Sequence, residues 1–177
     1  MREVTVRRAG PGDAPDVARV QVTGWHEAYT GRMPQSILDR LDVERSTGWW
    51  RRVIMGETDG EVSGEVWVAE REGVVIGFAS AGASRDHDPH ERELYAIYVL
   101  AEHYGSGAGQ ALLDAAIGRS AASLWILQDN PRARAFYERN GFRSDGSVKD
   151  DDRWGDPVRE ERLVRPQQTP PSTEPVA

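Results

Sequence analysis

The sequence predicts one α/β domain, a mixed sheet flanked by helices, with a helical N-terminal third. Three observations predict it. Two β-branched-rich segments, "EVWVAERE" and "VVIGFASAGAS", meet at Glu72-Gly73, and so short a joint implies a hairpin. The apolar run "LYAIYVL" stops at a glycine-rich turn, and an Ala/Leu-rich segment follows it, which reads as strand, turn and helix. A second apolar run, "SLWILQ", precedes "NPRARAFYERNGF", where Pro131 suits a helix start and Gly141 a helix stop.

In chain order, residues 3 to 8 alternate as a first strand does. Asp13 is the expected N-cap of a helix with Pro15 in its first turn. Ala14, Val17, Ala18, Gln21, Trp25 and Ala28 recur along it at helical spacing, and Gly31 and Pro34 end the pattern. "DVERSTGWWRRVIMG" predicts another helix, closed by Gly56. The hairpin comes next, then a charged loop, "RDHDPHERE". "LYAIYVL" is nearly all apolar, which predicts a strand buried on both faces. A helix is expected over residues 107 to 119, and "DPVREERLVR" suits a last strand. The domain is drawn over residues 1–164. Residues 165–177 form a Pro/Thr/Ser-rich tail whose composition predicts disorder.

Composition narrows the function. There is no cysteine among the 177 residues, which excludes disulfides, thiolate metal sites and a cysteine nucleophile, and suits a cytoplasmic setting. No run reaches the ~18 apolar residues of a membrane span, and no apolar stretch follows the basic N-terminal residues as a secretory signal would require. Net charge is −7, which argues against nucleic acid as the main partner and favours cationic ligands.

The glycine turn, Tyr104-Gly105-Ser106-Gly107-Ala108-Gly109, sits where an anion site is easily built. The first N–H groups of a helix lack intrahelical partners and carry the positive end of its dipole. Glycines let a phosphate approach the backbone. A P-loop is excluded because Gln110-Ala111 follows the last glycine in place of Lys-Ser/Thr. A dinucleotide fingerprint is excluded by the one-residue glycine spacing and by a next strand that ends in Gln128.

These residues and those of "LWILQDNPRARAFYERNGF" together resemble the GNAT superfamily of acetyl-CoA-dependent N-acetyltransferases. The family's loop, (Gln/Arg)-x-x-Gly-x-(Gly/Ala), falls on residues 104–109. Its later motif falls on Asn130, Ala133, Phe136, Tyr137, Glu138, Gly141 and Phe142. The chain departs from the pattern at Tyr104, where the family has Gln or Arg. The stretch "GRSAAS" is also short for the family.

The resemblance implies a GNAT fold, a mostly antiparallel sheet with a splayed central strand pair, and acetyl-CoA held in the splay without a metal. It implies that the loop backbone of Tyr104, Gly105, Ser106, Gly107, Ala108 and Gly109 cradles the pyrophosphate. Main-chain groups from Ile97, Tyr98 and Val99 would hold the thioester and pantetheine arm, and Asn130 the pantetheine region. Tyr137 would protonate the leaving thiolate. Glu93 is the expected base, through water, with Glu91 in reserve. Trp25 and Tyr29, four residues apart on one helical face, would wall the pocket of a small cationic amine. Homodimers are common in the family.

Each residue also has a plainer reading. Asn130 suits an N-cap for the Pro131 helix. The rings of Tyr137 and Trp25 suit a core, and Trp49, Trp50, Trp67 and Trp125 are assigned to core or sheet faces. Asp86, His87, Asp88, His90 and Glu91 read as a solvated loop, and Asp150 to Asp152 as a solvated turn or, near the last hairpin, as carboxylates facing a cationic acceptor. The alternatives to catalysis on a small amine are acetylation of protein N-termini or lysines, a non-catalytic acyl-CoA sensor, and a nucleotide-binding module.

Overall fold

The computed structural model describes residues 3–58, 64–86, 92–151 and 157–168. Seven strands form one sheet in the order β1-β2-β3-β4-β5-β7-β6: β1 (Thr5–Arg8), β2 (Gly64–Arg71), β3 (Val74–Ala83), β4 (Arg92–Val99), β5 (Ala122–Leu127), β6 (Arg143–Asp151) and β7 (Val158–Arg165). The helices are α1 (Ala14–Tyr29), α2 (Gln35–Leu38), α3 (Val43–Met55), α4 (Ala108–Ile117) and α5 (Pro131–Arg139). The mixed, mostly antiparallel sheet with flanking helices agrees with the expected fold.

The expected hairpin forms between β2 and β3. Glu72 and Gly73 both take positive φ, 55° and 77°, which is the twist a two-residue turn between right-twisted strands needs. One sheet face is covered by α1 and α3, where Val17, Val20, Trp50 and Val53 pack on Val66, Val68 and Phe78. The other is covered by α4 and α5, where Leu112, Leu113, Ala116 and Ile117 pack on Ala79, Leu94 and Leu124. Leu112 and Leu113 are fully buried. Each such side chain contributes roughly 1.5–3 kcal/mol of transfer free energy.

Several expectations are corrected. Asp13 precedes α1, but its carboxylate makes no cap bond to that helix. It turns back to Gly10 N–H (2.7 Å) and to Arg7, tying β1 to the helix start. The last strand runs through Arg165, which is 2% exposed, and Gln168 N–H bonds Arg119 O at 2.9 Å. The packed chain therefore continues past the boundary expected at residue 164. Asp151 is not in a solvated turn but pairs with Val158 in β6 and is buried. β4 is half-buried from Tyr95 to Val99 rather than enclosed on both faces, because its flank borders a cleft.

That cleft has a topological cause. β4 pairs along its length with β3 but meets β5, in parallel, only at Glu93↔Ser123. Beyond that rung the two strands part. Among the described residues no helix is long and apolar enough to cross a membrane.

Candidate active site

The chain enters the site from β4. Leu100 N–H bonds Ile76 O at 3.0 Å, which sets the alternation of the ladder. Tyr98 and Ala96, opposite Phe78 and Ser80, direct their backbone groups to β3. Ile97 and Val99 direct theirs into the splay. Of the three residues expected to hold the thioester arm, Tyr98 is thus corrected: its backbone serves the sheet.

A short helical turn, Ala101–His103, leads into the glycine loop. Gly105 and Gly107 take φ of 79° and 87°, conformations that strain residues with a Cβ. Gly107 is the N-cap of α4, and Ala111 N–H donates to its carbonyl at 3.0 Å. The donors ahead of Ala111 belong to the helix's unpaired first turn, and Ala108 N–H reaches only Ser106 Oγ, at 3.4 Å. Space for a Cβ is open at both Gly105 and Gly107. Tyr104 and Ser106 N–H donate to Ala101 O and His103 O, at 3.1 and 3.2 Å, and the left-handed glycines leave open space before the first turn of α4, a cradle for a phosphate. Tyr104 opens the loop, 39% exposed, and the Arg132 guanidinium lies over its ring, 3.3 Å from the centroid.

α5 supplies the remaining groups. Asn130 Oδ1 accepts from Ala133 N–H at 3.1 Å, so the N-cap role is real. Asn130 and Tyr29 both line the cavity, and burial raises the Tyr29 phenol's pKa. Tyr137 is 6% exposed, its ring edge-on to Phe136 and Phe142, and it lines the cavity. Core packing and a place in the site coexist. Burial pushes its hydroxyl well above the usual phenol range, and the neighbouring Tyr29 pushes it further. Tyr137 is therefore a neutral donor throughout the physiological range.

A cavity of about 1030 Å³ runs from the glycine loop past Tyr137 to an aromatic chamber. Trp25 and Tyr29 stand edge to face there, 5.4 Å apart, and the Tyr29 and Tyr98 hydroxyls are 3.5 Å apart. Trp49, Trp50 and Trp125, assigned from the sequence to core or sheet faces, all line this cavity as well. Trp50 does both, being 2% exposed with Nε1 donating to Gln21 Oε1 at 2.8 Å. Ser80 also lines the chamber, and its buried hydroxyl has no hydrogen-bond partner. The carboxylates along the cavity are Glu27, Asp151 and Glu160. None was singled out as a base from the sequence, because their convergence depends on strand pairing.

Glu93, the expected base, is corrected. It is fully buried and absent from the cavity wall, and it accepts from Arg85 N–H (2.9 Å), Nε and Nη2. A carboxylate so engaged anchors Arg85, which lines the cavity in its place. Glu91, the reserve, lies outside the described residues, as do His87, Asp88, His90 and Asp152. Among the described residues no group of three His, Cys, Asp or Glu side chains gathers as a metal site would.

Residues 62–144 match the family model of the acetyltransferase (GNAT) domain. The uncharacterised N-acetyltransferase YuaI of Bacillus subtilis is 36% identical over 144 residues, covering 76% of this chain and 78% of that protein. The chain belongs to the GNAT acetyltransferases. An uncharacterised N-acetyltransferase of Archaeoglobus fulgidus is 30% identical over 148 residues, with 78% and 92% covered. The fold also matches the PaiA N-acetyltransferase of Thermoplasma acidophilum, solved with coenzyme A (TM-score 0.69, 18% identity, 93% of this chain and 99% of that one). It matches the acetyltransferase yncA of Salmonella typhimurium with its cofactor acetyl-CoA (TM-score 0.63, 20% identity, 98% and 99%). As a GNAT enzyme this protein is an acetyl-CoA-dependent N-acetyltransferase, and the splay and glycine loop are the features of its chain that fit the cosubstrate.

Proposed function

We propose that the enzyme acetylates a small cationic primary amine by direct attack on acetyl-CoA in a ternary complex. The observation that carries this is the single cavity joining the α4 N-terminus to an aromatic chamber bordered by Glu27, Asp151 and Glu160. Both substrates fit one space, and the chain has no cysteine to carry an acetyl group between them. Aromatic faces and carboxylates suit an ammonium.

In this reading the pyrophosphate rests on the loop of residues 104–109, and Asn130 flanks the pantetheine arm. A main-chain N–H of Ile97 or Val99 bonds the thioester oxygen as it gains charge. The acceptor ammonium, with an ordinary pKa of ~10.4, gives a proton to water held by a cavity carboxylate. Glu160 replaces Glu93 in that role: it stands opposite Leu127 and its charge is felt at the Tyr29 hydroxyl. The free amine attacks the carbonyl carbon, the C–S bond breaks, Tyr137 gives its proton to the departing sulfur, and the second proton released by the acylated nitrogen restores the Tyr137 hydroxyl. Trp25 and Tyr29 hold the acceptor's body.

The test is release of CoA thiol with a panel of primary amines. Polyamines and aminoglycoside-like amines should turn over faster than neutral or acidic ones, and double-reciprocal lines should intersect. Parallel lines would remove the ternary complex. Turnover confined to protein N-termini or lysines would remove the small acceptor, and CoA binding without any turnover would favour a sensor.

A further inference from the structure

Of the 22 Lys and Arg residues in the sequence, Lys149 alone is a lysine. Its amine is held against the wall of the acetyl-transfer cavity. Lys149 Nζ lies 3.9 Å from the centroid of the Trp125 ring and 3.6 Å from Glu160 Oε2. Trp125 and Glu160 both line the cavity, as does Asp151, two residues beyond Lys149 on the same strand face.

Strand register aligns this amine with Leu127, on the cavity edge of β5. Lys149 pairs with Glu160, and Glu160 pairs with Leu127. Lys149, Glu160 and Leu127 thus share one level across the last three strands, and directly paired residues share a face. Two strand spacings, ~10 Å, separate β6 from β5, which borders the splay. The four-carbon stem of a lysine spans much of that distance. Arginine, the basic residue everywhere else in this chain, has no amine to acetylate.

We propose that Lys149 is a self-acetylation site, modified within its own molecule by acetyl-CoA bound in the splay. The proposal rests on the acetyl-CoA reading of that cavity. Trp125 and Glu160 seat the ammonium at the wall, and Glu160 takes its first proton. Nζ attacks the thioester carbonyl, so an N–C bond forms and the C–S bond breaks. Two protons leave the nitrogen in all. One ends on the CoA sulfur and the other passes through Glu160 to solvent. The neutral amide that results no longer pairs with Glu160 and no longer stacks on Trp125 as a cation.

The experiment incubates the full-length protein with acetyl-CoA and follows its intact mass, then maps the acetyl group by peptide sequencing. CoA thiol release with the amine panel is measured on the same sample. The expected result is one acetyl group on Lys149, added at a first-order rate independent of protein concentration. Incorporation should vanish in Lys149→Arg, which keeps the cation and its stacking. It should slow several-fold in Trp125→Ala and in Glu160→Gln, and in the presence of excess free CoA. Acetylation that excess CoA leaves unchanged is chemical and overturns the proposal, as does an acetyl group on the N-terminal amine. A rate rising with protein concentration overturns the intramolecular step. Amine turnover with no acetyl on Lys149 sinks self-acetylation alone, whereas loss of both sinks the cavity assignment with it.

Discussion

Tyr137 carries the sharpest residue-scale consequence. It is buried beside Phe136 and Phe142, and its hydroxyl pKa is raised above the ordinary value of ~10. A general acid works in its protonated form, and a raised pKa keeps this one protonated as pH climbs. The kcat profile should therefore show no loss from Tyr137 between neutral pH and about pH 10. Tyr137→Phe keeps the ring and deletes the proton. It should lower kcat by at least ~100-fold where chemistry limits turnover, while KM for acetyl-CoA moves little. A kcat near wild type would pass the role to water. Arg132 supplies a second residue-scale prediction. The loop's first position is Tyr104, where an Arg or Gln would meet phosphate directly, and Arg132 lies over that ring. Arg132→Ala should weaken CoA binding several-fold by calorimetry, and Tyr104→Arg in the same background should restore it. Failure of the restoring change would leave the cation–π pair a packing detail. The sequence made Tyr137 and Asn130 legible because their motif is local. Arg85, Ser80 and Glu160 were not legible, since each gains its place from β3, β4 or β7 pairing. Glu93 misled for the reverse reason: a carboxylate at a strand start reads as solvated until Arg85 folds over it.

At the scale of elements, the loop before α4 shows where strain and function share a residue. Gly107 holds a left-handed φ in a space a Cβ would otherwise enter freely. Gly107→Val therefore costs about 1–2 kcal/mol in backbone strain, enough to lower Tm by a few degrees in a domain this size. The same branched side chain fills the open space over the first-turn amides, so CoA affinity should fall more than the lost stability explains. Unchanged affinity in the folded variant would remove the pyrophosphate assignment. The β1–α1 junction responds to pH instead. A hydrogen bond from Arg7 is the main force holding the Asp13 carboxyl below its usual range, against the opposing effect of burial. A depressed folded pKa gives stability that is present above the unfolded value, ~3.9, and lost as pH falls through the folded one. Asp13→Asn should cost about 0.5–1 kcal/mol at neutral pH, given the exposed Arg7 side chain, and the gap in Tm from wild type should close below about pH 4. A gap independent of pH would assign the loss to Gly10 N–H alone. Elements with strong local signals, the glycine-closed α3 and the Glu72-Gly73 hairpin, were readable in sequence. β6 was not. "RSDGSVKDD" has no apolar alternation, because it is an edge strand that earns its pairing from β7 and interrupts it near Gly146.

The whole molecule sets the field in which both substrates arrive. The order β5-β7-β6 places the last hairpin beside the splay, which no local pattern announces, and it brings Asp151 and Glu160 to the acceptor chamber. Those carboxylates reinforce a chain of net charge −7. A diffusing ammonium is drawn to such a surface, and its encounter rate rises with the long-range potential. Acetyl-CoA, an anion, meets the same potential with opposite sign; in the proposed reading it is captured by short-range contacts at the α4 N-terminus, near Arg132 over the Tyr104 ring. Salt screens the long-range part first, since the Debye length is already ~10 Å at 0.1 M. For a polyamine acceptor kcat/KM should therefore fall as salt rises. The slope for acetyl-CoA should be flatter, because loss of long-range repulsion offsets the weakening of its phosphate contacts. Neutralising Glu160 and Asp151 as Gln and Asn should flatten the amine slope and leave the acetyl-CoA slope in place. Equal slopes for the two substrates, or an acceptor whose turnover is indifferent to salt, would show that the acidic surface serves solubility and that acceptor choice is made by the aromatic walls of Trp25, Tyr29 and Trp125 alone.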